Sequence, residues 1–154
     1  MKMTLAKALK YKNRLAQRIS ELVAQIKECN VYLEGNKPTF LISELLAEHS
    51  TAITAMIELK AAIQEANKPI LRHIFGLAEL KGQIALYKEL DTREGKQRSS
   101  WDNEVSINIV QIGKAEALMK QRTYEKLLDR MQAEVDKHNA TTTIEFPDEI
   151  DLFK

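Results

Sequence analysis

Between positions 42 and 66 the chain carries Ile42, Leu45, His49, Ala52, Met56, Leu59, Ile63 and Ala66, spaced alternately by three and four residues. No other feature limits its fold as strongly. At 3.6 residues per turn this spacing lays all eight side chains along one seam of a helix, and alternating threes and fours are the heptad pattern of helices packed side by side. Leu46 and Ile53 flank the seam. The same spacing occurs earlier in Leu15, Ile19, Leu22, Ile26, Cys29 and Leu33, where Leu9, Ala16 and Val23 widen the stripe. A first helix opened by Thr4 as N-cap and closed near Asn30 is a rod of about 40 Å, longer than a compact core of this size uses.

A third periodic stretch, Ile70–Glu94, is apolar on two sides. Ile70, Ile74, Leu77 and Ile84 form one stripe, and Phe75, Gly82, Leu86 and Leu90 lie on nearly the opposite side. A surface helix needs one apolar stripe, so the second is expected to meet a neighbour. Asn67-Lys68-Pro69 separates this helix from the one before. Pro69 suits a first helical position and disfavours helix at Lys68, so a real break is expected there, with the two helices packed side by side or sharply bent. Gly95 is the expected residue just past the helix end. A fourth helix, with Ala117, Tyr124, Leu127, Leu128, Met131, Val135 and His138 on one face, should end at Asn139. Ala24–Asn30, Ala61–Asn67 and Ala133–Asn139 share an Ala-x-Ile/Val-x-x-x-Asn pattern, which reads as helix termination by an Asn that tolerates left-handed backbone.

Two segments depart from helical periodicity. Val105-Ser106-Ile107-Asn108-Ile109 alternates at period two, which predicts a short strand within 104–112. Thr141–Phe146 is also β-prone and is expected to pair with it. The end of the chain, Pro147–Lys154, is acidic (Asp148, Glu149, Asp151) with interspersed apolar residues, the make-up of a flexible end or of a docking peptide that a protein partner would hold.

With 154 residues, 44% of them hydrophobic, and only 5 Gly and 3 Pro, the chain can build a helical core. The formal charge of +1 projects no global field toward nucleic acid or membrane. A single cysteine, Cys29, excludes an internal disulfide framework and suits a reducing compartment. No apolar run approaches the roughly 20 residues of a membrane span, so a soluble cytoplasmic protein is expected. The expected architecture is mainly α, an elongated antiparallel four-helix bundle or coiled coil with a small two-stranded β element. It comprises a single helical domain over 1–140, with helices near 4–30, 39–67, 69–95 and 114–139, and an extended tail over 141–154.

Chemistry is sparse. No phosphate loop, nucleophile elbow or dinucleotide fingerprint occurs, no Glu-x-x-His pair faces a bundle interior, and the carboxylates read as surface charges, so an enzyme is not expected and no cofactor is implied. His49 sits in an apolar seam, the ordinary place of a neutral, hydrogen-bonded imidazole. His73 and His138 fall at bundle ends that an up-down arrangement brings together. They are the candidates for a metal, but zinc needs three or four ligands and no His-x-x-x-His or Cys-x-x-Cys pair accompanies them. The first 18 residues hold Lys2, Lys7, Lys10, Lys12, Arg14 and Arg18 and no acid. Lys7, Lys10, Arg14 and Arg18 share a sector opposite the apolar stripe, a geometry suited to phosphate contacts or an anionic surface. No aromatic stacking platform accompanies them, so nucleic acid is not the favoured partner, and a membrane less so.

Leu5-Ala6-Lys7-Ala8-Leu9, the spaced Arg14-Leu15, and Asp136-Lys137-His138-Asn139-Ala140-Thr141-Thr142 resemble the septicolysin-like family of small helical bacterial proteins. The resemblance lies at the two ends of the chain. It implies an elongated helical oligomer and carries no catalytic residues over. The resulting expectation is a structural or interaction protein, a homo-oligomeric scaffold or adaptor with Phe75, Gly82, Leu86 and Leu90 as its self-association face. A nucleic-acid-binding module using the first helix is the alternative, and a membrane-active oligomer the third reading.

Overall fold

Thr4 starts the first helix as its spacing predicts: its extended backbone (φ −69°, ψ 154°) ends a short strand, and its side chain accepts a hydrogen bond from the Lys7 amide at 3.3 Å. From there the computed structural model, which describes residues 1–98 and 105–147, is mainly helical. In chain order it contains β1 (Lys2–Thr4), α1 (Leu5–Cys29), α2 (Ile42–Asn67), one 3₁₀ turn (Lys68–Ile70), α3 (Leu71–Glu89), β2 (Gly95–Arg98), β3 (Val105–Asn108), α4 (Lys114–Thr141) and β4 (Thr143–Glu145). The described residues divide into two compact units, 1–70 with 137–147, and 71–136.

The first unit is an antiparallel pair, α1 against α2, closed by a ribbon. Leu5, Ala8, Tyr11, Leu15 and Leu22 of α1 are buried against Leu45, Ala52, Ala55, Met56, Leu59 and Ile63 of α2. Ala8, Ala52 and Ala55 are fully buried, and small side chains at a helix contact let two backbones approach closely. The strands β1 and β4 pair antiparallel, with Lys2 opposite Glu145, Met3 opposite Ile144 and Thr4 opposite Thr143. Period two turns Met3 and Ile144 onto the helices and leaves the oppositely charged Lys2 and Glu145 outside. Backbone bonds extend this ladder: the Leu5 amide donates to the Thr142 carbonyl, the Phe146 amide to the Met1 carbonyl, and the Met1 amino group to the Phe146 carbonyl. Phe146 is 2% exposed, its ring 5.4 Å from that of Tyr11.

In the second unit α3 and α4 meet through side chains. Tyr87 stacks on Tyr124 at 5.8 Å, and a Cβ built on Gly76 would lie 3.0 Å from the Met131 sulfur, so the glycine makes room for that side chain. Leu80, Ala117 and Val135 are buried. The strands β2 and β3 form an antiparallel ribbon whose pairs are Gly95 with Asn108, Lys96 with Ile107, Gln97 with Ser106 and Arg98 with Val105.

Several expectations are corrected. The acid-poor segment from Gly95 to Arg98 is a strand, and it, not Thr141–Phe146, partners Val105–Asn108; the latter segment pairs instead with β1, because the buried face of α1 and α2 rewards its inward Ile144. Gly95, at φ +97°, opens β2 rather than capping α3, which already stops at Glu89. The break at Pro69 is a single 3₁₀ turn, and Lys68 keeps right-handed helical dihedrals (φ −47°, ψ −45°). The Asn pattern does not terminate helices through left-handed backbone: Asn30 has φ −67°, and α4 runs two residues past Asn139. Leu33 lies beyond α1 in an exposed loop, Ala16 is exposed, and α2 begins three residues after Thr39. The expected four-helix bundle is met only as far as four helices: the contiguous buried core gathers α1 and α2 alone, with the β1–β4 ribbon.

Candidate interaction surfaces

The basic sector of α1 is partly committed. Lys7, Lys10 and Arg14 are exposed, but Arg18 is half-buried and donates to the Glu48 carboxylate at 2.6–2.7 Å, with Glu21 at 3.7 Å on its own helix. That pair ties α1 to α2, so the fourth cation of the sector serves the fold. A shallow recess at the same place is lined by Arg14, Gln17, Arg18 and Glu21, and thus mixes both signs of charge.

The histidines fare differently from one another. His138 is not exposed at a helix end as its position near the terminus of α4 implies. Its Nε2 lies 3.0 Å from the Ala66 carbonyl, which can only accept, so the ring carries its proton there, and Nδ1 accepts from the Thr142 hydroxyl at 3.2 Å. Both nitrogens are thereby used in joining α4 to α2 and to the start of the ribbon. His73 is half-buried, with Nδ1 out of solvent and without a hydrogen-bond partner. His49 is half-buried on α2, and Cys29 is half-buried at the end of α1. Among the described residues no group of three or more His, Cys, Asp or Glu is arranged to hold a metal.

On α3 the two stripes separate. Ile70, Ile74, Leu77 and Ile84 are half-buried, and Leu80 beside them is buried. On the other stripe Phe75 is 64% and Leu86 54% exposed, Gly82 is open with no atom within 4 Å of a built Cβ, and Leu90 is half-buried. The structure thus covers one apolar stripe of this helix and leaves the other facing solvent.

A further surface escapes the sequence reading. Cross-strand partners point to the same face of a ribbon, so Lys96 and Arg98 share a face with Val105 and Ile107, and period two adds Ile109 just past the strand. Val105, Ile107 and Ile109 are 55%, 67% and 89% exposed. A cavity of about 500 Å³ adjoins this ribbon, walled by Leu90, Ile107, Ile109 and Ile112 and by the Asp91–Arg93 pair. In that pair the guanidinium donates twice to the carboxylate, at 2.7 and 3.0 Å, and the Arg93 amide adds a third bond at 3.0 Å. These hydrogen bonds lower the Asp91 pKa to about 2 and raise that of Arg93. The period-two signal in Val105–Ile109 was visible in the sequence, but the cations opposite it become visible only once β2 is known to be their partner. Other apolar side chains are exposed in the loop after α1 (Val31, Tyr32, Leu33) and along α2 (Leu46, Ile53, Ile57). The acidic residues Asp148, Glu149 and Asp151 lie outside the described residues. No described helix is long and apolar enough to cross a membrane.

No family model and no curated protein matches this sequence. Among solved structures, the chain is similar to a functionally unknown conserved protein from Corynebacterium diphtheriae, with a TM-score of 0.73 at 18% identity over 94% of this chain and 100% of that one. That likeness shows a shared fold.

Proposed function

We propose that this protein is a helical interaction protein that works as a homo-oligomeric scaffold, with the Phe75–Gly82–Leu86 stripe of α3 as its self-association face. The observation that carries this reading is the exposure of Phe75 and Leu86 on a helix whose opposite stripe is covered. Their spacing through Gly82, seven residues and then four, is that of a coiled-coil seam, which a second copy of the same helix complements. Twofold symmetry presents the pair twice, so four large side chains leave water at one contact. Each contributes about 1–2 kcal/mol in proportion to the half of its surface now exposed. Gly82, with no side chain, allows the two backbones to come close at the centre of the contact. Two α3–α4 pairs joined in this way form a four-helix bundle across copies, which gives the heptad spacing of the chain an intermolecular use.

The test is the mass in solution. Leu86→Glu places a charge on the face, and the expected result is a lower mass by light scattering with the helical circular dichroism retained. A folded Leu86→Glu protein of unchanged mass refutes this placement. A wild-type protein that stays monomeric at every concentration refutes self-association altogether.

A second reading has its own observation: Lys7, Lys10 and Arg14 are exposed on successive turns of α1, whose first turn has no acid. A nucleic-acid-binding module built on them retains RNA or DNA at about 50 mM salt, releases it steeply as salt rises, and loses it in Lys7→Glu/Lys10→Glu. Absence of retention at low salt excludes it. The third reading, a membrane-active oligomer, fails if the protein releases no dye from anionic vesicles.

A further inference from the structure

The β2–β3 ribbon presents a face on which apolar and positively charged side chains lie next to each other in water. Val105, Ile107 and Ile109 supply three β-branched side chains, all more than half exposed, while Lys96 and Arg98 stand directly across the ladder from Ile107 and Val105. A two-stranded ribbon is marginal in water by itself and gains stability when its apolar face is covered. The cover that suits this face is therefore a segment with apolar residues at period two and a surplus of negative charge. The chain contains one. Its last seven residues read Asp148-Glu149-Ile150-Asp151-Leu152-Phe153-Lys154. Asp148, Ile150 and Leu152 are spaced by two, as Val105, Ile107 and Ile109 are, so in an extended segment they share one side, and Asp148 matches the sign of Arg98, which stands across from Val105. Extended, seven residues span about 23 Å, enough to run the full length of a four-residue strand and reach beyond it. The cavity of about 500 Å³ next to Ile107 and Ile109 is large enough to take an apolar side chain such as that of Leu152.

We infer that the β2–β3 ribbon is a docking site for the acidic C-terminal segment of a second copy of this chain. Ile150 and Leu152 cover Ile107 and Ile109, and Asp148, on the same side of the extended segment, engages Arg98. Each copy carries both the ribbon and the segment, so two copies can exchange segments around a twofold axis and bury two such contacts at once. This inference rests on the self-association proposed above but uses a surface distinct from the α3 stripe. The Asp91–Arg93 pair takes no part in the charge match, because its charges already satisfy each other.

The experiment is intermolecular disulfide trapping with full-length chains in a Cys29→Ala background. One chain carries Ile107→Cys and an affinity tag, and the other carries Leu152→Cys without a tag. Ile107 is 67% exposed, so the substitution leaves the fold intact. The control pairs Leu152→Cys with Ile57→Cys, a position on α2 that is 60% exposed. The expected result is a tagged–untagged cross-link that forms about tenfold faster than the control. Arg98→Glu should slow it about tenfold, and Asp148→Lys in the other chain should restore it. A mixed cross-link no faster than the control overturns the inference. A third chain carries both cysteines, and a disulfide that forms only within that single chain also overturns the inference, because the segment then serves its own copy. If light scattering shows an oligomer while the cross-link fails, this inference falls and the α3 reading stands. If Leu86→Glu leaves the mass unchanged while the cross-link forms, the reverse holds.

Discussion

Replacing Phe146 by alanine should destabilise the first unit by about 3–5 kcal/mol, which is large for a residue near the end of a chain. The magnitude follows from its surroundings. Phe146 is 2% exposed, so truncation to alanine forfeits the burial of roughly 130 Å² of ring surface, or about 3 kcal/mol at 25 cal/mol per Å². The tilted contact with Tyr11, centroids 5.4 Å apart at 58°, adds about 0.5–1 kcal/mol that area alone does not include. The cavity left against α1 and α2 works in the same direction. Urea unfolding followed by circular dichroism should show the midpoint falling by about 2 M, for a slope near 2 kcal/mol per M. Hydrogen exchange locates the loss: amides from Ala52 to Ile63 of α2 should lose protection first, because Phe146 packs with that core. Phe146→Leu keeps most of the burial and should cost about 1 kcal/mol. If Phe146→Ala loses less than about 1 kcal/mol, the ribbon is decoration on the helical pair and the reasoning fails.

Two further outcomes follow from local geometry. In the Leu86→Glu background, where the α3 face has no partner copy, Gly82→Ala should raise the stability of the folded chain by about 0.5–1 kcal/mol, since a Cβ there meets nothing and alanine favours helix; Gly76→Ala should gain less, because its Cβ presses on the Met131 sulfur at 3.0 Å. Equal gains at both positions in thermal unfolding would show that Met131 does not pack as described. The Asp91 carboxyl should titrate near pH 2 by NMR and return toward 3.8 in Arg93→Ala. Because its folded pKa lies below the ordinary one, the support this pair lends to the turn after α3 is complete above about pH 4 and disappears as the pH falls toward 2. A midpoint unchanged by Arg93→Ala would disprove the pairing.

Legibility in the sequence differed from element to element. Periodicity located α1, α2 and α4 to within a few residues, because long seams such as Leu45, Ala52, Met56, Leu59 and Ile63 survive any uncertainty at their ends. Element ends were less legible. Gly95 carries the same left-handed backbone whether it closes a helix or opens a strand, and only its pairing with Asn108 decides between them. The candidate surfaces divide in the same way. The two-sided character of α3 is evident from Phe75, Gly82 and Leu86 against Ile74 and Leu77, but which side is covered is not. Arg18 looks like part of a basic face until Glu48, thirty residues away, is found to hold it.

What the sequence alone determined, then, is which segments are helical and which faces of them are apolar, because a period of three and four is a local property of the chain. Which apolar faces meet was decided by tertiary structure. Thr141–Phe146 carries nothing that names its partner, and it joins β1 rather than β3 because Met3, Tyr11 and the α1–α2 pair offer Ile144 and Phe146 a place out of water. Strand pairing and helix contact depend on residues far apart in sequence, so their energies are set only when the chain has closed on itself. The face shared by Lys96, Arg98, Val105 and Ile107 belongs to the same class: two unremarkable segments become one basic and apolar surface through their register.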